Sequence, residues 1–62
     1  MKVYKIGDLV SVDLDSHRLP PFGTLGLVLD VVESSEYADQ PYYTIRFNEV
    51  NYLVYHNDLV KV

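Results

Sequence analysis

Tyr42-Tyr43-Thr44-Ile45-Arg46-Phe47-Asn48-Glu49-Val50 is the stretch that reveals the architecture of this chain. Tyr43, Ile45 and Phe47 alternate with Tyr42, Thr44 and Arg46. A side-chain period of two puts the first set on one face of a strand and the second set on the other. Tyr43 belongs with the core set. Asn48-Glu49 is a turn pair leading into Val50 to Tyr55, so the stretch predicts a β-hairpin.

On both sides of this hairpin the chain keeps the same grammar. His56-Asn57-Asp58 reads as a single 3₁₀ turn that delivers Leu59, Val60 and Val62 to a last strand. Upstream, Leu25 to Val32 is nearly continuous in apolar residues rather than alternating. That predicts a long bent strand, with Gly26 allowing a bend or a close backbone approach. Gly7-Asp8 turns the chain into Leu9-Val10-Ser11-Val12, where Val10, Val12 and Leu14 share a face against Ser11 and Asp13. Asp15 to Phe22 is a loop, because Pro20-Pro21 has no amide proton to give a ladder. Glu33 to Pro41 is a second, polar loop. No helix-length segment shows an apolar period of three to four. Five strands without a helix leave a small barrel or a compact sandwich.

The chain has 62 residues, so it is one domain, 1–62. It has no cysteine, which excludes a disulfide, a thiolate zinc site and a cysteine nucleophile. The N-terminus breaks at Gly7 before an apolar stretch forms, so no signal peptide is expected. The run from Leu25 to Val32 is interrupted by Asp30 and is too short to span a bilayer, so no membrane insertion is expected. The net charge of −4 weighs against a phosphate-backbone partner. Lys2, Lys5 and Lys61 form a local basic patch if the two termini meet.

Lys5-Ile6-Gly7-Asp8-Leu9-Val10, Gly23-Thr24-Leu25-Gly26-Leu27-Val28 and His56-Asn57-Asp58-Leu59-Val60-Lys61-Val62 resemble the opening, second strand and closing turn and strand of the SH3-like small β-barrels. The resemblance implies an all-β, five-stranded SH3-like barrel with one short 3₁₀ turn before the last strand. Such a barrel is filled by its own side chains and has no room for an enclosed active site. The acidic, short chain also resembles uncharacterised small proteins of tailed bacteriophages. That implies a cytoplasmic location in a host cell, or a place in the virion. Tyr43-Thr44-Ile45-Arg46-Phe47-Asn48-Glu49-Val50-Asn51-Tyr52 is similar to the third-strand region of the E-type peripheral subunit of photosystem I. That family docks ferredoxin through basic surface residues. Here the loop from Asp13 to Pro21 holds one base, Arg18, against Asp13 and Asp15. The chain has no Trp, unlike the proline-reading groove of signalling SH3 domains.

Candidate chemistry is sparse. Asp13, Asp15 and His17 form a D-x-D-x-H string, but it lacks the glycine and distal glutamate of a calcium loop, so it reads as a solvated loop end. His56 reads as a residue that caps or packs its turn. None of Ser11, Ser16, Ser34 and Ser35 sits in a nucleophile elbow. The expectation is therefore a non-catalytic protein-interaction module without cofactor or metal. Its contacts are assigned to the loops Asp13 to Phe22 and Glu33 to Pro41, through Arg18, Phe22, Glu36, Tyr37 and Asp39. Open strand edges add a route to strand addition or self-association. The reading from a different class is a nucleic-acid-binding small barrel of the translation or transcription type.

Overall fold

The computed structural model describes residues 2–33 and 40–62. Its strands are β1 (Leu9–Val12), β2 (Leu25–Val32), β3 (Tyr42–Phe47), β4 (Val50–Tyr55) and β5 (Leu59–Lys61), with a 3₁₀ turn over His56–Asp58. They form one antiparallel sheet in the order β4-β3-β2-β1-β5. The ladder does not close among the described residues, so β4 and β5 are its two edges. No helix of the described residues is long and apolar enough to cross a membrane.

Each strand buries one face, as a half-buried strand should. Val10, Val12, Val28, Tyr43, Ile45, Phe47, Val54 and Leu59 make the core, and Val3, Tyr4, Leu19, Val31 and Tyr52 pack against it. Leu14 does not continue the buried face of β1: it lies beyond the strand and is exposed.

The near-continuous run in β2 has a specific cause. The register against β3 shifts between Val28 and Asp30, leaving Leu29 as an extra residue. A slip of one residue exchanges the two faces of a strand. Ahead of the shift Gly26 and Val28 face the core. After it Val31 packs on the core and Asp30 reaches solvent, where its Oδ1 accepts the Val31 N–H at 2.9 Å. Without the shift, Asp30 would point inward. The strand changes phase at this bulge and not at Gly26. Gly26 instead allows close approach: a Cβ there would sit 2.5 Å from Ile45 Cγ2 and from Phe47 Cε1.

Two turns repeat one device. Asp8 N–H donates to the Lys5 carbonyl at 2.9 Å, and Thr24 N–H to the Pro21 carbonyl at 3.0 Å. Each has glycine at its third position, Gly7 at φ 93° and Gly23 at φ 87°, where a side chain is disfavoured. Their second positions, Ile6 and Phe22, are thrown outward and are 67% and 66% exposed. The β3–β4 hairpin has Asn48 and Glu49 both at positive φ, 46° and 73°, the two-residue turn whose twist matches its strands.

Candidate functional site

The inner face is spent on the core, so the outer face, the edges and the loops are the surfaces the fold leaves open. The ladder sets the outer face residue by residue. Val60, Ser11 and Leu25 form one cross-strand row, and Leu9 and Leu27 lie opposite each other in the next. Val62 N–H donates to the Leu9 carbonyl at 3.1 Å and brings Val62 alongside. Leu9, Leu25, Leu27, Val60 and Val62 are all exposed, so β1, β2 and β5 carry an aliphatic patch in which Ser11 is the one polar member. Arg46 borders it beside Leu27. Sequence reasoning missed this patch, because Leu and Val in a strand read as core until the pairing shows which face each one takes.

The loop residues expected to make contacts divide into two groups. Phe22 is exposed at the end of the sheet where Leu25 lies, since Gly23 N–H and the Thr24 carbonyl both bond to Val12. Arg18 is exposed, its N–H donating to Ser16 Oγ at 3.1 Å. Glu36, Tyr37 and Asp39 lie outside the described residues. Asp13, Asp15 and His17 are all exposed, and among the described residues no three His, Asp or Glu side chains gather as metal ligands would.

Among the described residues the N-terminal segment lines two surface recesses. One, of about 330 Å³, is lined by Lys2, Val3, Tyr4, Lys5, Asp8 and Lys61. The two ends of the chain thus bring together the three lysines whose meeting the sequence left open. Asp8 offsets part of their charge: its Oδ2 lies 3.8 Å from Lys61 Nζ and accepts the Lys5 N–H at 2.9 Å. The other, a shallow and open depression of about 530 Å³, shares Val3, Tyr4 and Lys5 and is lined further by Ile6, Val31 and Glu33.

His56 packs, and also does more. Its ring stacks on Tyr4 at 4.6 Å between centroids, and its Nδ1 lies 2.7 Å from the Tyr43 hydroxyl. That hydroxyl accepts the Tyr4 N–H at 3.1 Å, which leaves its own proton free to donate to Nδ1. Tyr4 Oη in turn donates to the Leu59 carbonyl at 3.2 Å. Burial raises the Tyr43 pKa above its ordinary value, with smaller upward contributions from Tyr4 and Glu33 set against the lowering hydrogen bond from the Tyr4 backbone. Burial, and then Asp13, raise that of Tyr4. Both phenols are held neutral, and the group ties the N-terminal segment to β3, the 3₁₀ turn and β5. As a device it is structural: neutral phenols bonded to backbone and imidazole are not activated nucleophiles.

No family model matches the chain, and no curated protein or solved structure is significantly similar to it.

Proposed function

We propose that this chain is a non-catalytic protein-interaction module built as an SH3-like small barrel, and that it meets its partner with the outer face of β1, β2 and β5. The observation that carries this reading is the exposed patch of Leu9, Leu25, Leu27 and Val60, four aliphatic side chains that the ladder sets in two adjacent cross-strand rows. Contiguous exposed apolar surface, bordered by polar residues, marks interaction sites on small domains. Phe22 extends the surface at the Leu25 end of the sheet, Arg18 adds a contact from the same loop, and Glu36, Tyr37 and Asp39 supply a second contact from the segment between β2 and β3. The setting we propose is the phage one: a small acidic effector held on a host protein, or an accessory protein seated on the virion.

A second reading has one observation in its favour. Lys2, Lys5 and Lys61 line a single recess, as a local site for a nucleic-acid phosphate requires. The net charge of −4 opposes it.

The test is capture from a lysate of the source cell by the tagged chain, with and without nuclease, read by mass spectrometry alongside the Leu25→Lys variant. The proposal expects one stoichiometric protein that survives nuclease and is lost with Leu25→Lys. Capture that Leu25→Lys leaves unchanged moves the interface off the outer face. Capture that nuclease abolishes favours the nucleic-acid reading.

A further inference from the structure

Three of the five bases of this acidic chain meet in one place. Lys2 and Lys5 come from the N-terminal segment and Lys61 from β5, and all three line the recess of about 330 Å³ with Val3, Tyr4 and Asp8. Like charges gathered in one recess repel each other, so the arrangement has to be imposed by the fold. Tyr4, between the two N-terminal lysines, is anchored to Tyr43 by its N–H, to His56 by its ring and to Leu59 by its hydroxyl. The Lys5 N–H donates to Asp8 Oδ2 and the Lys5 carbonyl accepts the Asp8 N–H, each at 2.9 Å. Lys61 follows Leu59 by two residues in β5, so it shares the face of that core residue and lies opposite to Val60.

Asp8 is the one acid in the lining, and it answers only part of this charge. Its Oδ2 is taken up by the Lys5 N–H, and Lys61 Nζ stands 3.8 Å from it, beyond hydrogen-bond distance. Among the described residues, none of the three ammonium groups donates a hydrogen bond. Three lysines against one aspartate leave two positive charges over, beside the half-buried side chains of Val3 and Tyr4.

We propose that this recess binds a small phosphate monoester, with the phosphate held by the ammonium groups of Lys2, Lys5 and Lys61 and the body of the ligand against Val3 and Tyr4. Charge selects the class. A phosphate monoester carries about −1.5 to −2 near pH 7 and three strong acceptor oxygens, which matches the surplus charge and the unused donors. A carboxylate brings only half of that charge. Size selects a small molecule, because about 330 Å³ lies at the lower end of the range of small-molecule sites, roughly 300–1,000 Å³. The rest of the chain selects against a polymer of phosphates. Outside the recess Arg18 and Arg46 stand against eight of the nine acids, so every further phosphate meets repulsion where a nucleic acid needs more bases. The site lies off the outer face of β1, β2 and β5, so it and the outer-face reading stand or fall separately.

The test is an amide NMR titration of the whole chain at constant ionic strength with three probes: phenyl phosphate, inorganic phosphate and benzoate. Phenyl phosphate is expected to give saturable shifts at Lys2, Val3, Tyr4, Lys5 and Lys61. It should bind more tightly than inorganic phosphate, which lacks the body, and than benzoate, which lacks the second charge. Lys2→Gln, Lys5→Gln and Lys61→Gln, all at exposed positions, should keep the fold by circular dichroism. Each should weaken phenyl phosphate about fivefold, the factor that one unit charge about 4 Å away is worth in water. Asp8→Asn, which keeps an oxygen for the Lys5 N–H, should tighten it by a similar factor, and Leu25→Lys should leave it unchanged. Shifts that do not saturate overturn the proposal, as does benzoate binding as tightly as phenyl phosphate. Saturation that the three lysine variants leave unchanged overturns it too. A single-stranded oligonucleotide that binds more tightly than phenyl phosphate, and is lost with the same lysine variants, overturns it in favour of the nucleic-acid reading.

Discussion

Tyr43 in β3 and His56 in the 3₁₀ turn are joined by a 2.7 Å hydrogen bond between phenol and imidazole Nδ1, beneath the stacked ring of Tyr4. The two residues are thirteen apart in the chain, and Tyr4 reaches them from thirty-nine residues before Tyr43. Tyr43→Phe keeps the ring and its packing but removes the hydroxyl, leaving the Tyr4 N–H and His56 without their partner. The expected loss is about 1–3 kcal/mol of stability, because a partly buried donor loses its acceptor. Urea denaturation of the variant and parent checks it, and an unchanged midpoint would mean that water replaces the hydroxyl at no cost.

The raised pKa values of Tyr4 and Tyr43 predict a loss of stability at alkaline pH. A phenol whose folded pKa exceeds its unfolded value, about 10, contributes its stability in full below that value. The contribution disappears as pH rises through the higher folded pKa, since the unfolded chain gives up the proton first. The urea midpoint should therefore be insensitive to these two groups near neutrality and should fall above about pH 10. Tyr43→Phe should make that fall shallower; an identical fall would assign it to other groups.

Gly26→Ala should destabilise, although alanine costs less backbone entropy than glycine. The added methyl meets Ile45 Cγ2 and Phe47 Cε1 at 2.5 Å, both on buried side chains that cannot step aside. Overpacking of this kind costs about 1–3 kcal/mol, against a gain of under roughly 1 kcal/mol from the backbone. Thermal unfolding gives the sign directly, and a higher melting temperature would show that β3 relaxes away from β2.

Glu49→Gly should stabilise. Glu49 holds φ at 73°, a left-handed conformation that costs an ordinary residue about 1–2 kcal/mol, and its exposed side chain recovers none of it. Asparagine followed by glycine is also the preferred pair for this hairpin turn, and Asn48 already supplies the first member. A gain of about 1 kcal/mol in urea is expected; a loss would mean that the carboxylate is needed elsewhere.

The facing of the strands is tested by a pair of substitutions. Ile45→Ala, in the core, should cost about 2–5 kcal/mol, enough to unfold a domain this small. Leu25→Lys, beside Ser11 on the outer face, should change stability by no more than about 0.5 kcal/mol. Comparable effects at both positions would mean that the outer patch is covered.

The strands and turns were legible in the sequence because they follow local rules. The alternation of Tyr43, Ile45 and Phe47 set the buried face of β3, Asn48-Glu49 marked the hairpin, and His56-Asn57-Asp58 marked the 3₁₀ turn. Period and turn chemistry act over a few residues, so one chain segment suffices to read them. Whatever depends on pairing had to wait for the sheet. The bulge after Val28 was invisible because an apolar run has no phase until a neighbouring strand assigns one, and only then does Asp30 turn outward and Val31 inward. The outer patch joins Leu9, Leu25 and Val60 from three strands, and the lysine recess joins Lys2 to Lys61 from the two ends of the chain. The free edge of β4 exists because the ladder ends there, a fact about strand order that no single strand records. Local pattern was enough to say which segments are strands and which residues β1 and β3 bury within their bounds. The sheet determined which surfaces were left over, because exposure belongs to the assembly of strands and not to any one of them.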